Sequence, residues 1–364
     1  MKIKLFVDAH VFDGVHQGTT TYLKGLYTAL VKNPNFEITL AANNVDCLKQ
    51  NFPNENFKLL KLRTTSKFKR LAIEIPRLLR KHKFDFAHFQ YITPLKKECK
   101  YINTIHDLIF IDYPQYFPLN FKFKNGIAFK LSAKRSDVIC TVSNYSAVAL
   151  SKHYNYDLAS ITVTPNAVEN FNGEFVDVKS KYNLDKYLLF VSRLEPRKNH
   201  ILLLTCFVEM ELYKQGYKLI FVGRMDDLKT KDYHTYYNQI SPEIKNFISF
   251  YENVSANELA SFYKNASLFV YPSLAEGFGI PPLEAAVLNC KVLCSNQTAM
   301  NDFDFFGDYL FNPFEKEILK LKIMKALNDT NYPFESIKEA ILKRYNWEVI
   351  ATHFAEKLIT ELNG

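Results

Sequence analysis

Two carboxylates with seven residues between them mark the most informative segment, Glu276-Gly277-Phe278-Gly279-Ile280-Pro281-Pro282-Leu283-Glu284. An apolar, strand-like run from Ala266 to Tyr271 precedes it, and the helix-like run Leu283 to Leu288 follows. A strand, a glycine-bearing turn and a helix N-terminus together form an arrangement that holds anions. Proline suits the first helical positions, where its missing N–H would be unpaired anyway. The glycines Gly277 and Gly279 allow close backbone approach to a ligand. This spacing places Glu276 in the loop and Glu284 on the first turn or so of the helix. Both then face one pocket, as acceptors for sugar hydroxyls. The same residues also fit an ordinary strand-to-helix turn, with glutamate answering the helix dipole.

A second segment runs from Phe190 to His200 (FVSRLEPRKNH), between the strand-like run Tyr187 to Val191 and the helix-like run Ile201 to Met210. Arg193 falls at the strand end and Lys198 close to the helix start. A forked guanidinium beside a point-charge ammonium suits a diphosphate. There is no Walker sequence and no Gly-x-Gly-x-x-Gly, so side chains and helix ends would hold the phosphates. A solvated basic loop is the other reading of these charges.

Together the two segments resemble glycosyltransferase family 4, whose donor site carries a Glu-x7-Glu motif matched here by EGFGIPPLEA, Glu276 to Ala285. Ser192 to Asn199 (SRLEPRKN) is similar to the family's G-R-L-x-P-x-K-N motif. Thr104 to Leu108 (TIHDL), Asp137 to Ser143 (DVICTVS) and Thr164 to Glu169 (TPNAVE) extend the resemblance over most of the chain. It implies the GT-B fold: an α/β protein of two doubly wound, parallel-sheet, Rossmann-like domains facing across a cleft. Residues 1–170 would form the acceptor-side domain and 171–346 the nucleotide-sugar domain, with the last helix, 347–364, packing back on the first. The chain departs from the family where Leu288-Asn289-Cys290 stands for the usual A-x-G, and Asn289 can take the left-handed conformation that glycine would supply.

The resemblance also implies roles. His106 and Glu276 would be the catalytic residues, with Glu276 beside the transferred sugar. Arg193 and Lys198 would hold the diphosphate, and Glu284 the ribose hydroxyls. Backbone groups of Gly277, Phe278, Gly279 and Ile280 would reach sugar or phosphate, and Gly18 would lie in the loop that approaches the diphosphate. His10 and His16 take no role. The reaction would be sugar transfer from a nucleoside-diphosphate donor to a glycan or lipid-linked acceptor, with retention of configuration, no cofactor and no metal. Asp302-Phe303-Asp304 has the spelling of a metal motif but reads as structural. Likeness to bacterial mannosyl- and rhamnosyltransferases of surface polysaccharide makes GDP-mannose the first choice of donor. A nucleotide-sugar epimerase and a non-catalytic sugar-binding protein are the alternatives.

The elements that must position these residues follow a simple alternation. Strand candidates are Ile3–Val7, Ile38–Ala41, Phe86–Phe89, Tyr101–Ile105, Val138–Val142, Ile161–Val163, Leu188–Val191, Leu219–Val222, Ile248–Tyr251, Leu268–Tyr271 and Val292–Cys294, with helical stretches between them. Such alternation makes parallel sheets wrapped by helices, and this many strands need two sheets. At 364 residues and 48% hydrophobic, the chain can fill two cores. The polar stretch Asn166 to Lys186 separates the halves.

No run approaches the roughly 20 apolar residues of a membrane span, and Asp8, His10 and Asp13 come too early for a signal peptide. The six cysteines have no zinc spacing and suit a reduced, cytoplasmic protein. The net charge of +8 gathers in two basic amphipathic stretches, Lys67 to Lys83 and Phe121 to Arg135. These fit peripheral contact with an anionic membrane at the inner face of the cell membrane, and equally fit ordinary exposed helix faces. No nucleic-acid-binding motif is present.

Overall fold

Near-continuous apolar runs become strands covered on both faces, as parallel sheets require. The computed structural model describes residues 2–14, 18–225 and 231–363. The chain divides into two units, Met1–Ala167 with Tyr345–Gly364, and Val168–Arg344. The first unit holds β1 (Ile3–Asp8), β2 (Phe36–Ala42), β3 (Lys58–Lys61), β4 (Phe86–Gln90), β5 (Lys100–Thr104), β6 (Val138–Thr141) and β7 (Ile161–Val163). The second holds β8 (Lys186–Val191), β9 (Tyr217–Val222), β10 (Ile248–Tyr251), β11 (Leu268–Tyr271), β12 (Val292–Ser295) and β13 (Leu310–Phe311).

The sheet orders are β3-β2-β1-β4-β5-β6-β7 and β10-β9-β8-β11-β12-β13. All pairings are parallel; β1 meets β2 from Ile3↔Phe36 to Asp8↔Ala41, and β8 meets β9 from Lys186↔Tyr217 to Val191↔Val222. In each sheet the chain winds out to one edge, then returns to the other side of its first strand. The reversals fall between β1 and β4 and between β8 and β11. Loops at the carboxyl ends of strands flanking a reversal form the crevice where open α/β sheets take ligands. Each unit is therefore a Rossmann-like domain.

Every expected strand is present, three with the expected ends and the others with an end shifted by a residue or two. The two others, β3 and β13, are edge strands. β3 reads Lys-Leu-Leu-Lys with both lysines exposed, and β13 has two residues.

The Lys67 to Lys83 stretch is a continuous helix with a π turn: α over Lys67–Lys69, π over Arg70–Glu74, α again over Ile75–His82. The second basic stretch is the helix Leu119–Arg135. The last helix, Trp347–Asn363, buries Trp347, Phe354 and Leu358 and belongs to the first unit. It meets the helix Gly18–Leu30 at Gly25, where an added Cβ would stand 2.0 Å from Trp347 Cε2. Asn289 adopts φ 58°, the left-handed conformation expected of it. Among the described residues no helix is long and apolar enough to cross a membrane.

Candidate functional site

The loops after β8 and β11 flank the reversal point of the second sheet, and they are bolted together. After β8 come Ser192 to Glu195, a short 3-10 turn Pro196–Lys198, left-handed Asn199 at φ 58° and the helix His200–Glu209. After β11 the chain passes through Ser273 to left-handed Gly279 at φ 97°, and the helix Ile280–Val287 begins with Pro281 and Pro282 in its first turn. Leu274 N–H donates to the Arg197 carbonyl at 2.7 Å, and Ser273 Oγ lies 3.2 Å from the same oxygen. Gly223, after β9, sits so close that a Cβ would lie 2.1 Å from the Ser192 carbonyl oxygen. At its φ of 144° a side chain would be strained as well.

Glu276 is the hub of this site. It is buried, and its carboxylate accepts from Lys198 Nζ, from Arg197 Nη1 at 2.9 Å, and from Tyr271 Oη and Ser273 Oγ at 2.8 Å each. Its own N–H donates to Thr298 Oγ1 at 2.8 Å. Burial would raise its pKa, but Lys198 and Arg197 outweigh that and hold it at about 2. Glu276 is therefore an ionised carboxylate, with Lys198, Tyr271 and Ser273 on Oε1 and Arg197 on Oε2, which keeps room for a further donor. Lys198 is itself buried; desolvation and neighbouring Arg197 lower its pKa, against the pull of Glu276.

Sequence reasoning assigned Lys198 to a diphosphate and Glu276 to a sugar, as separate tasks. The structure joins them directly. Arg193 stays outside the cluster, with its exposed side chain 3.5 Å from Glu195. Arg197, which the motif pattern passed over, is the arginine on Glu276, and its Nε is held by Glu195 at 3.1 Å. Its place next to Lys198 in the same turn was the available signal.

Glu284 is the fifth residue of its helix, just past the first turn. Its carboxylate accepts from Tyr263 Oη at 2.9 Å. Desolvation raises its pKa above the ordinary range, partly offset by that hydrogen bond. The Phe278 ring is buried edge-on against Phe303, at 5.8 Å between centroids, so of this residue only the backbone suits ligand contact. Asp304 pairs with Arg344 at 2.7 Å, in keeping with a structural reading of the Asp-x-Asp spelling. Among the described residues no group of three or more His, Cys, Asp and Glu side chains is placed to hold a metal ion.

His106 and Gly18 belong to the first unit. His106 follows β5, is buried, and its Nε2 lies 2.7 Å from Gln90 Oε1 at the end of β4. Gln90 Nε2 lies 3.2 Å from His88 Nε2, His88 Nδ1 meets Tyr27 Oη at 2.5 Å, and His88 Nε2 lies 2.7 Å from Thr104 Oγ1. If the Gln90 amide donates to His88, its oxygen accepts from His106, which puts the His106 proton on Nε2. Burial lowers His106 to about 4 and His88 to about 3, so both are neutral imidazoles near pH 7. This network was hidden inside the apolar-looking Phe-Ala-His-Phe-Gln of β4. Gly18 opens the helix Gly18–Leu30 and is exposed; a methyl added there would meet nothing among the described residues. His16 lies outside the described residues.

Comparison with known proteins agrees with this geometry. Residues 173–343 match the family Glycosyl transferases group 1, and residues 16–170 match Glycosyltransferase Family 4. The O-antigen chain mannosyltransferase RfbU of Salmonella typhimurium is 30% identical over 65% of this chain and 67% of its own length. The O-antigen chain mannosyltransferase B of Escherichia coli is 26% identical over 69% of this chain and 68% of its own. Among solved structures, Anabaena Alr3699/HepE in complex with UDP-glucose superposes with a TM-score of 0.74 over 99% of this chain and 100% of its own, at 16% identity, a likeness of fold.

Proposed function

The chain belongs to the family 4 glycosyltransferases, and from that premise we propose that it transfers mannose from GDP-mannose to a hydroxyl of a glycan or lipid-linked acceptor, with retention of configuration. The observation that carries the reading is the buried Lys198–Glu276–Arg197 cluster at the carboxyl ends of β8 and β11. Breaking the anomeric bond leaves negative charge on the diphosphate. Lys198 and Arg193, with the start of the helix Ile280–Val287, meet that charge as it develops. Glu276 fixes the Lys198 ammonium and accepts from the transferred sugar. Backbone groups of Gly277, Phe278, Gly279 and Ile280 complete this contact, and Glu284 takes the ribose.

In this reading the leaving phosphate accepts the acceptor's proton on the same face, so no dedicated base is assigned. Charge stabilisation falls to these cations, and no metal or cofactor is assigned. His106, held neutral on Gln90, orients a sugar hydroxyl, and Gly18 lies near the diphosphate. Mannose is chosen because the relatives named above are mannosyltransferases of O-antigen chains. The place of action is the inner face of the cell membrane. Exposed Phe68, Leu119 and Phe123 beside Lys67, Lys122 and Lys124 support peripheral contact with anionic lipid there.

The test is a thermal-shift screen against GDP, UDP, dTDP, ADP and their sugar conjugates. A selective rise with GDP and GDP-mannose is expected, since a ligand bound only by the native state stabilises it. No shift with any nucleotide would overturn the donor assignment, and a selective rise with another base would replace GDP.

A further inference from the structure

A cavity of about 1010 Å³ lies over the carboxyl ends of β1, β2 and β3, lined by His10, Asn43, Lys49, Lys61, Thr65 and Arg70 among others. This is at the upper end of small-molecule sites, which run roughly 300–1,000 Å³. The mechanism above uses none of these residues.

The cavity is built rather than incidental. Arg70 is 6% exposed, and its Nε makes no hydrogen bond among the described residues, standing 3.5 Å from Asp8 Oδ2. It is the first residue of the π turn Arg70–Glu74, a distortion often found at functional positions. Glu74 in that turn accepts the N–H groups of Arg63 at 2.6 Å and Thr64 at 3.1 Å, which pins the Lys61 to Thr65 rim against the helix. Asp13 accepts from the N–H groups of Asn43 at 3.0 Å and Asn44 at 2.7 Å, and Asn43 Nδ2 donates to the carbonyls of Leu62 at 3.0 Å and Thr64 at 3.1 Å, which ties this loop to the same rim.

The charges are not evenly committed. Asp8 is held below its ordinary pKa, because His10 and Arg70 outweigh the burial that raises it. Asp13 is spent on backbone donors, and Asp46 faces Lys49 at 3.7 Å. Lys61 has no ion-pair partner among the described residues. Lys67, one turn before Arg70, is lowered by desolvation first and then by the cations Arg70 and Lys124. Like charges gathered around a buried guanidinium with donors to spare are what an oxyanion would relieve.

We propose that this cavity binds the phosphate or diphosphate group of the acceptor, with Arg70 as its fork and Lys61 and Lys49 as flanking cations. Exposed Phe68, at 74%, follows Lys67 directly, so a hydrocarbon anchor on the same phosphate would have apolar surface beside it. The acceptor class rests on the transferase reading; the binding of a phosphate does not.

The experiment is calorimetric titration of inorganic pyrophosphate into the whole protein, its Lys49→Ala/Lys61→Ala variant, and Arg193→Ala as a control for the donor site. These three residues are exposed, so folding survives. Arg70→Lys, checked by circular dichroism, keeps the charge but removes the fork. At least a tenfold loss of one binding event is expected in Lys49→Ala/Lys61→Ala and in Arg70→Lys, with that event kept in Arg193→Ala. Unchanged pyrophosphate binding in Lys49→Ala/Lys61→Ala overturns the site, whatever the nucleotide screen shows. Co-sedimentation with phosphatidylglycerol vesicles, against phosphatidylcholine, then names the source. Retention by Lys49→Ala/Lys61→Ala assigns the acceptor's own phosphate. Loss parallel to pyrophosphate assigns a lipid headgroup and overturns the acceptor assignment.

Discussion

Lys198 and Glu276 stand 78 positions apart in sequence and form one buried ion pair at the ends of neighbouring strands. Each is under a tenth exposed, so removing Glu276 leaves the Lys198 ammonium buried without its carboxylate, and removing Lys198 leaves the buried Glu276 charge to Arg197 alone. Lys198→Met or Glu276→Gln should each cost about 3–5 kcal/mol of stability, and the double variant less than the sum. Each should also cut sugar transfer by at least about a hundredfold. Urea unfolding of the four proteins checks the coupling. Additive costs would show that the pair is not a unit, and near-wild-type transfer in both single variants would refute the site.

The neutral histidines make stability depend on pH. The unfolded chain protonates His106 near 6.5, whereas the folded chain resists until about 4. The native state therefore binds fewer protons between those values. Stability is full above pH 6.5 and falls as pH drops toward 4, by about 3 kcal/mol for His106. Urea midpoints at pH 7.5, 6 and 5 should decline, and His106→Gln should flatten the decline. An imidazole NMR signal assigned to His106 or His88 that titrates near 6.5 in the folded protein would contradict the burial argument.

Gly25→Ala tests the closure of the first unit. The new methyl would lie 2.0 Å from Trp347 Cε2, far inside contact distance. Overpacking of this kind costs about 1–3 kcal/mol and occasionally more. Trp347 is the sole tryptophan, so its fluorescence reports the last helix directly. A red shift and a lower melting temperature are expected, with partial recovery of stability in Gly25→Ala/Trp347→Leu. An unchanged melting temperature in Gly25→Ala would mean the helices can part without cost.

Glu284 should matter for binding more than for stability, since one neutral hydroxyl, Tyr263, is its partner. Glu284→Gln should weaken the nucleotide about ten- to a hundredfold, as a hydrogen bond to a charged group does. Because its pKa is raised by desolvation, donor affinity should also fall with acid sooner than for an ordinary carboxylate. Calorimetric titration across pH reads both effects. Equal affinity in the variant would remove Glu284 from the ribose.

The central strands were legible because burial on both faces writes itself as an unbroken apolar run. Leu268–Tyr271, inside its sheet, has the ends that the sequence suggests, and the edge strands Ile161–Val163 and Ile248–Tyr251 match their expected ends as well. Lys58–Lys61 was not legible, since an edge strand with two lysines carries no such run. In the site, loop spacing located Lys198 and Glu276 but could not show that they bond to each other, a contact that only the neighbouring of β8 and β11 creates. The same limit hid Arg197 and the Gln90–His106 bond. Both are distances between strands, and one-dimensional spacing holds no record of strand order.

The chain leaves the first unit after Ala167 and re-enters it at Tyr345. During synthesis this ordering becomes a delay. The nascent first unit exposes the groove that Trp347, Phe354 and Leu358 will fill, while the ribosome makes the whole of the second. At about 5–20 residues per second that wait is roughly 10–35 s. Over that interval the second unit is a contiguous stretch free to fold early, and the half-finished first unit is the natural client for a chaperone.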